Sequence, residues 1–206
     1  MNENHSMNNR EIRDLTISWL TISAAFAWIH VNFFSPGGAA DFAAVLIIML
    51  VAVGGGFILH ELAHKYVAIY YGAHAEFVMW TNGLILAVAL ALTLGIVFAA
   101  PGAVYIYGRN ITARQNGIIS LAGPLTNLAI VLLAGLFYLA IRPGGFIETT
   151  LAYTMKINFF LAAFNMLPIF PLDGSKVFTW SKGIWAATII FAAIGIISSA
   201  MIFSAP

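Results

Sequence analysis

The sequence predicts an all-α polytopic membrane protein, with about six transmembrane helices and a short membrane-associated β element in a single domain over residues 1–206. Three observations predict it. Hydrophobic residues make up 61% of the chain and charged residues 8%, against about 25% charged in ordinary soluble domains. Mean hydropathy is +0.93. Apolar runs of the roughly 20 residues needed to cross hydrocarbon recur along the chain, joined by short connections.

The runs fall at roughly 15–34, 42–71, 83–107, 117–141, 151–172 and 184–203. Ala25-Phe26-Ala27 in the first resembles a signal-peptide cleavage site. The region before it carries Glu3, Glu11 and Asp14 against Arg10 and Arg13, so the positive leading segment of such peptides is missing and the run is read as a span. Ser35-Pro36-Gly37-Gly38 breaks the chain after it, and Arg142-Pro143-Gly144-Gly145 does so after the fourth span. Between the second and third, Ala75-Glu76-Phe77-Val78-Met79-Trp80 is aromatic and β-branched, with the turn signal Asn82-Gly83 behind it. It reads equally as a short strand or as an interfacial aromatic belt.

Orientation is not encoded. Arg10, Arg13, Lys65 and Arg142 fall on one side of six spans, Arg109, Arg114, Lys176 and Lys182 on the other. Net charge of +1 provides no basic field for nucleic acid. Cysteine is absent, so a metal here must sit on His, Asp or Glu.

The second span contains His60-Glu61-Leu62-Ala63-His64. Spacing i, i+4 places both histidines on one helical face, where two neutral imidazoles can bind Zn2+ and Glu61 can act as general base on the attacking water. In a soluble protein the pentad is a weak signal. Within lipid, an ionised residue costs roughly 2.5–3.5 kcal/mol at mid-helix, which favours a functional Glu61 over a solitary structural one. Gly54-Gly55-Gly56, just ahead, reads as a helix-contact patch before it reads as room for substrate.

A catalytic zinc site uses three protein ligands. His5 sits in a polar terminus, His30 near the end of the first span and His74 in a loop, and none fits. Asp173 is better placed, in Asn165-Met166-Leu167-Pro168-Ile169-Phe170-Pro171-Leu172-Asp173-Gly174. Alone, it would read as a cap or loop aspartate; beside a metal pentad short of one ligand, it reads as the third.

With Gly123-Pro124-Leu125-Thr126-Asn127 between them, the pentad and the Asn165–Gly174 segment resemble the site-2 protease family of intramembrane zinc metalloproteases. These motifs run in the family's order from residue 60 to 174. The resemblance implies Zn2+ on His60, His64 and Asp173, with Glu61 as catalytic base. It also implies a transmembrane protein substrate in a lipid bilayer, held as an added strand at the position of Ala75–Trp80. Phe77, Val78, Asn127 and Asn165 are then the expected substrate contacts; for Asn127, interhelical hydrogen bonding is an equal reading. The expected protein is a minimal core without PDZ or CBS domain, multi-pass in a prokaryotic cell membrane.

Straight helices are incompatible with that site. At 1.5 Å per residue, His60 and Asp173 would stand about 15–25 Å apart along the membrane normal. The chain is therefore expected to bend at Pro168 or Pro171 and return Asp173 into the membrane, with Lys176 and Lys182 lining or flanking the segment. Competing readings of the same residues are an ion or metal transporter, which the lack of an internal repeat disfavours, and a catalytically inactive membrane binding protein.

Overall fold

The computed structural model describes residues 7–97, 101–108 and 111–202. His5, Arg109 and the end of the sixth expected span at residue 203 lie outside these residues. In chain order the elements are α1 (Asn9–Ile29), α2 (Gly38–Tyr70), β1 (His74–Met79), α3 (Thr81–Leu94), β2 (Gly102–Tyr107), α4 (Ala113–Ile141), α5 (Gly145–Asn165), α6 (Asp173–Trp180) and α7 (Lys182–Ile202). The protein is mostly helical, with one small sheet.

Local signals set most boundaries. Asn8 caps α1, its Oδ1 accepting the Glu11 N–H at 2.8 Å. Thr112 and Gln115 form a reciprocal capping box at the start of α4. Gly37, at φ 86°, turns the chain into α2 from a left-handed conformation that a side chain would resist.

Two of the expected spans are corrected. The run 83–107 is not one helix. It ends at Leu94, where Gly95 takes a left-handed C-cap, and after Pro101 the chain returns as β2, antiparallel to β1 with Phe77 opposite Val104. An apolar run cannot by itself tell a buried strand from a helix; Val104-Tyr105-Ile106-Tyr107 is the strand-forming part. The run 151–172 is also shifted: α5 covers 145–165 and stops three residues short of Pro168, whose ring would clash with the carbonyl four residues back.

Among the described residues, three helices are long and apolar enough to cross a membrane: α2, α4 and residues 182–199 of α7. α3 is apolar but has 14 residues, and α1 and α5 carry charged side chains along 21 residues each. Length and hydropathy thus support three of the six expected spans among the described residues.

The core lies between α1, α2, β1, α3 and α5, built on Leu15, Ile22, Met49, Val53, Phe57, Phe77, Leu84 and Ile157. The glycine patch serves packing. A Cβ at Gly54 would collide with the Trp19 indole, whose Nε1 donates to Leu50 O at 3.0 Å; one at Gly56 would stand 2.7 Å from Asn158 Oδ1. Gly55 faces open space. Gly54→Val is therefore expected to lower stability by about 1–3 kcal/mol, through forced separation of α1 and α2. Gly55→Ala should be close to neutral. Unfolding of both variants in detergent, followed by Trp fluorescence, checks the difference.

Candidate metal centre

α2 and α4 run antiparallel with matched helical faces. Going down α2, His64, His60 and Gly56 lie one turn apart; going up α4, so do Ile119, Gly123 and Asn127. His64 Nδ1 donates to Ile119 O at 2.7 Å, and His60 Nδ1 donates to Asn127 Oδ1 at 2.6 Å. Gly123 sits between, and a Cβ there would stand 2.5 Å from the Nε2 atom of each histidine. Only glycine leaves the space in front of those nitrogens open.

Hydrogen bonding fixes both tautomers. Ile119 O can only accept, so His64 carries its proton on Nδ1. Asn127 Nδ2 donates to Gly56 O at 3.1 Å, which only accepts, so Asn127 Oδ1 must face His60. Both Nε2 atoms then present lone pairs. They face each other at 2.9 Å, with Asp173 Oδ2 at 3.3 Å from His60 and 3.1 Å from His64.

Three acceptor atoms converging with no proton among them in the neutral state call for a cation. Zinc bonds of about 2.0–2.1 Å place tetrahedral ligand atoms about 3.3–3.4 Å apart, close to the separations found here. His60, His64 and Asp173 thus fit a metal ion in donor type, spacing and orientation.

Asp173 arrives by the expected bend. α5 ends at Asn165, the chain turns through Met166–Leu172, and α6 begins at Asp173 itself. Trp185 Nε1 of α7 donates to Met166 O at 2.7 Å, satisfying a carbonyl freed by the turn. Gly174 packs directly on the Met166 backbone, an approach that a Cβ would prevent. The Phe170–Pro171 peptide within this turn is cis. Lys176 and Lys182 flank the segment: Lys176 Nζ lies 3.8 Å from Asp173 Oδ1, and Lys182 stands over the Phe178 ring at 5.4 Å. His30 and His74 lie elsewhere, against Tyr153 and Tyr107.

Glu61 is half-buried, with His60, Asp173 and Lys176 as charged neighbours and the backbone of Val104 in β2 close to its carboxylate. That contact follows from the ladder. Phe77 gives its N–H to Glu11 rather than to β2, so Phe77 and Val104 form a non-hydrogen-bonded pair. Val104 therefore points its N–H and C=O away from β1, along the other edge of the sheet.

Three expected substrate contacts have other partners in this structure. Phe77 is 1% exposed, packed edge-on against Phe57, and its N–H is committed to Glu11. Val78 lies opposite Ala103, in the alternate position whose backbone groups point into the ladder with β2. Asn127 is fully buried, and its amide is committed to His60, Gly56 and Asn158, which is the interhelical reading. Asn165 is half-buried at the end of α5, with Nδ2 donating to Leu161 O at 3.0 Å.

Sequence reasoning missed Asn158, Val104 and Glu11. Asn158 accepts from Asn127 at 2.9 Å, while its own Nδ2 donates to Thr154 O at 2.8 Å and Ala52 O at 3.3 Å. A carboxamide in an apolar run is the available signal. Asn158→Leu should let the Asn127 amide turn and loosen His60, lowering zinc affinity about 10–100-fold. Chelator competition on detergent-purified protein measures it, and unchanged affinity would reject the relay.

The chain is 47% identical over 179 residues to the protein named "Putative zinc metalloprotease MJ0611" of Methanocaldococcus jannaschii, covering 87% of this chain and 88% of that one. It is 30% identical over 186 residues to "Putative zinc metalloprotease Rip2" of Mycolicibacterium smegmatis, covering 78% and 66%. With "Zinc metalloprotease MJ0392" of M. jannaschii it shares 32% over 138 residues, 66% of this chain and 33% of that longer one. No protein-family model and no solved structure matches the chain. The donor set and these relatives agree on zinc as the metal. Identity of 47% along nearly the whole of both sequences decides descent: the chain belongs to the site-2 protease family of zinc metalloproteases.

Proposed function

We propose that this protein is an intramembrane zinc metalloprotease, cutting peptide bonds within or near transmembrane segments of membrane-protein substrates. The observation that carries this reading is the cluster of facing Nε2 lone pairs and a carboxylate, with Glu61 beside it, on apolar helices. His60, His64 and Asp173 would hold the metal. Zinc bound there supplies Lewis-acid polarisation of the scissile carbonyl and acidifies water towards neutral pH.

The chain's own residues do the rest. Glu61 accepts a proton from the attacking water as the new C–O bond forms, then returns it to the amine as the C–N bond breaks. Asn127 and Ile119 keep both imidazole protons on Nδ1, so the Nε2 positions stay available. Lys176 offsets part of the negative charge of Asp173.

A protease needs its substrate extended, and adding a strand to a sheet edge achieves that. β1 is closed on one side by β2 and on the other by α1, which leaves the outer edge of β2, where Val104 meets Glu61, as the edge for substrate. Asn165, whose Oδ1 has no protein partner among the described residues, is a further contact for the incoming backbone. The protein would act as a single multi-pass unit in a prokaryotic cell membrane. An ion path gains no support here, because the three donors close on one another and the relatives are named as proteases.

Glu61→Gln should keep bound zinc and lose cleavage of a membrane-anchored substrate by about 100-fold or more. Asp173→Ala should lose both metal and cleavage. Metal analysis beside a cleavage assay in liposomes checks the pair; full activity of Glu61→Gln rejects the mechanism. Val104→Pro removes an outward N–H and leaves the β1–β2 ladder bonds in place. It should weaken substrate binding, seen as a raised KM, with zinc content unchanged. The same substitution at Ala103, whose N–H points into the ladder, should instead destabilise the sheet.

A further inference from the structure

α1 carries two carboxylates that the metal centre does not use, Glu11 and Asp14, 1% and 3% exposed. Glu11 Oε2 pairs with Lys65 Nζ of α2, which is itself buried, and Glu11 Oε1 accepts the Phe77 N–H at 3.1 Å. Asp14 Oδ2 accepts the Met79 N–H at 3.4 Å, and Asn8 Nδ2 donates to Glu76 Oε1 at 2.9 Å. One face of α1 therefore lies along β1, its carboxylates three residues apart meeting strand N–H groups two residues apart.

These contacts tie the sheet to α2. From Lys65 the linkage passes to Glu11 of α1, on to Phe77 of β1 and across the ladder to Val104 of β2, whose backbone lies near Glu61. Glu61 and Lys65 are four residues apart on one helical face, so this linkage begins and ends one turn apart on α2. Its consequence is register. A one-residue slip of the sheet would bring Ala103 or Tyr105 to Glu61, and their N–H groups point into the ladder instead. An ion pair alone does not account for the arrangement, since buried pairs are weak contributors to stability and apolar substitutes often serve as well.

We propose that Glu11, held by Lys65, is a positioning residue for the reaction: its bond to Phe77 sets the height of the sheet over α2, so that the outer edge of β2 delivers a substrate strand beside Glu61. The proposal rests on the reading of β2 as the substrate edge.

Two charge-neutral double variants test it, reconstituted in liposomes with a fluorescence-quenched single-span model peptide carrying an Asn-Pro break. Glu11→Gln with Lys65→Met removes both charges and keeps a carbonyl for Phe77. Glu11→Leu with Lys65→Met removes the charges and the acceptor. The first should turn over within about threefold of wild type; the second should lose about tenfold or more in kcat at unchanged zinc content. Equal kcat in the two doubles, with zinc retained, overturns the proposal, because a purely structural ion pair predicts that result. Should the Leu double fail to fold, Glu11→Asp alone keeps the charge and shortens the reach by one methylene. It should show the same kcat loss, and wild-type kcat there would overturn the proposal too. Wild-type protein that leaves the peptide uncut counts against the protease reading itself, whereas wild-type cleavage with unaffected variants counts against Glu11 alone.

Discussion

A polar atom inside an apolar bundle has no water to fall back on, so another protein atom must answer it. The antiparallel register of α2 on α4 is the arrangement that meets this condition here, and the site depends on it. His64 finds Ile119, His60 finds Asn127, and Asn127 finds Gly56, each one turn further along α2. Sliding one helix past the other by a turn would orphan all three at once. Gly123 in the middle of that face makes the close approach possible and keeps the space beyond the imidazoles clear.

The same register decides the chemistry. Because the Nδ1 protons are fixed by partners that can only accept in that orientation, both Nε2 lone pairs converge on the point that Asp173 reaches from α6. Asn158 extends the logic outward, holding Asn127 from a third helix and passing its own amide protons to Thr154 and Ala52 carbonyls. Metal affinity is in this way distributed over α2, α4, α5 and α6, although the ligands come from two of them.

The chemistry was more legible in the sequence than the architecture. His60, Glu61 and His64 are readable because helical spacing is periodic, and Asp173 because a pentad with two ligands needs a third. The bend at Pro168 and Pro171 followed from depth, since two straight helices could not have brought the donors together. β2 was hidden for a physical reason: Ala103-Val104-Tyr105-Ile106-Tyr107 is apolar or aromatic on both faces, so the strand has no polar alternation to betray it. Asn127 could be read equally as a substrate contact or an interhelical bond, and Phe77 as a strand position, because a single sequence does not reveal which of a residue's polar groups already have partners. Lys65 held the least used clue. A lysine inside an apolar span demands a carboxylate nearby, and Glu11 was the candidate in the adjoining helix.

The two-stranded sheet then acquires a specific reason to exist. An unpaired strand edge is a liability in any protein and a severe one beside lipid, where backbone groups have nothing else to bond. Here one edge is closed by carboxylates of α1. The other edge lies on the side of α2, with the Val104 backbone near Glu61. Closing the first edge with charge is costly, and it is sensible only if the sheet must be held in one position. The element that gains from that position is the second edge, which lies beside Glu61 and close to the His60–His64–Asp173 cluster. A sheet held at that point through the Glu11–Phe77 bond is the arrangement that the proposed addition of a substrate strand would require.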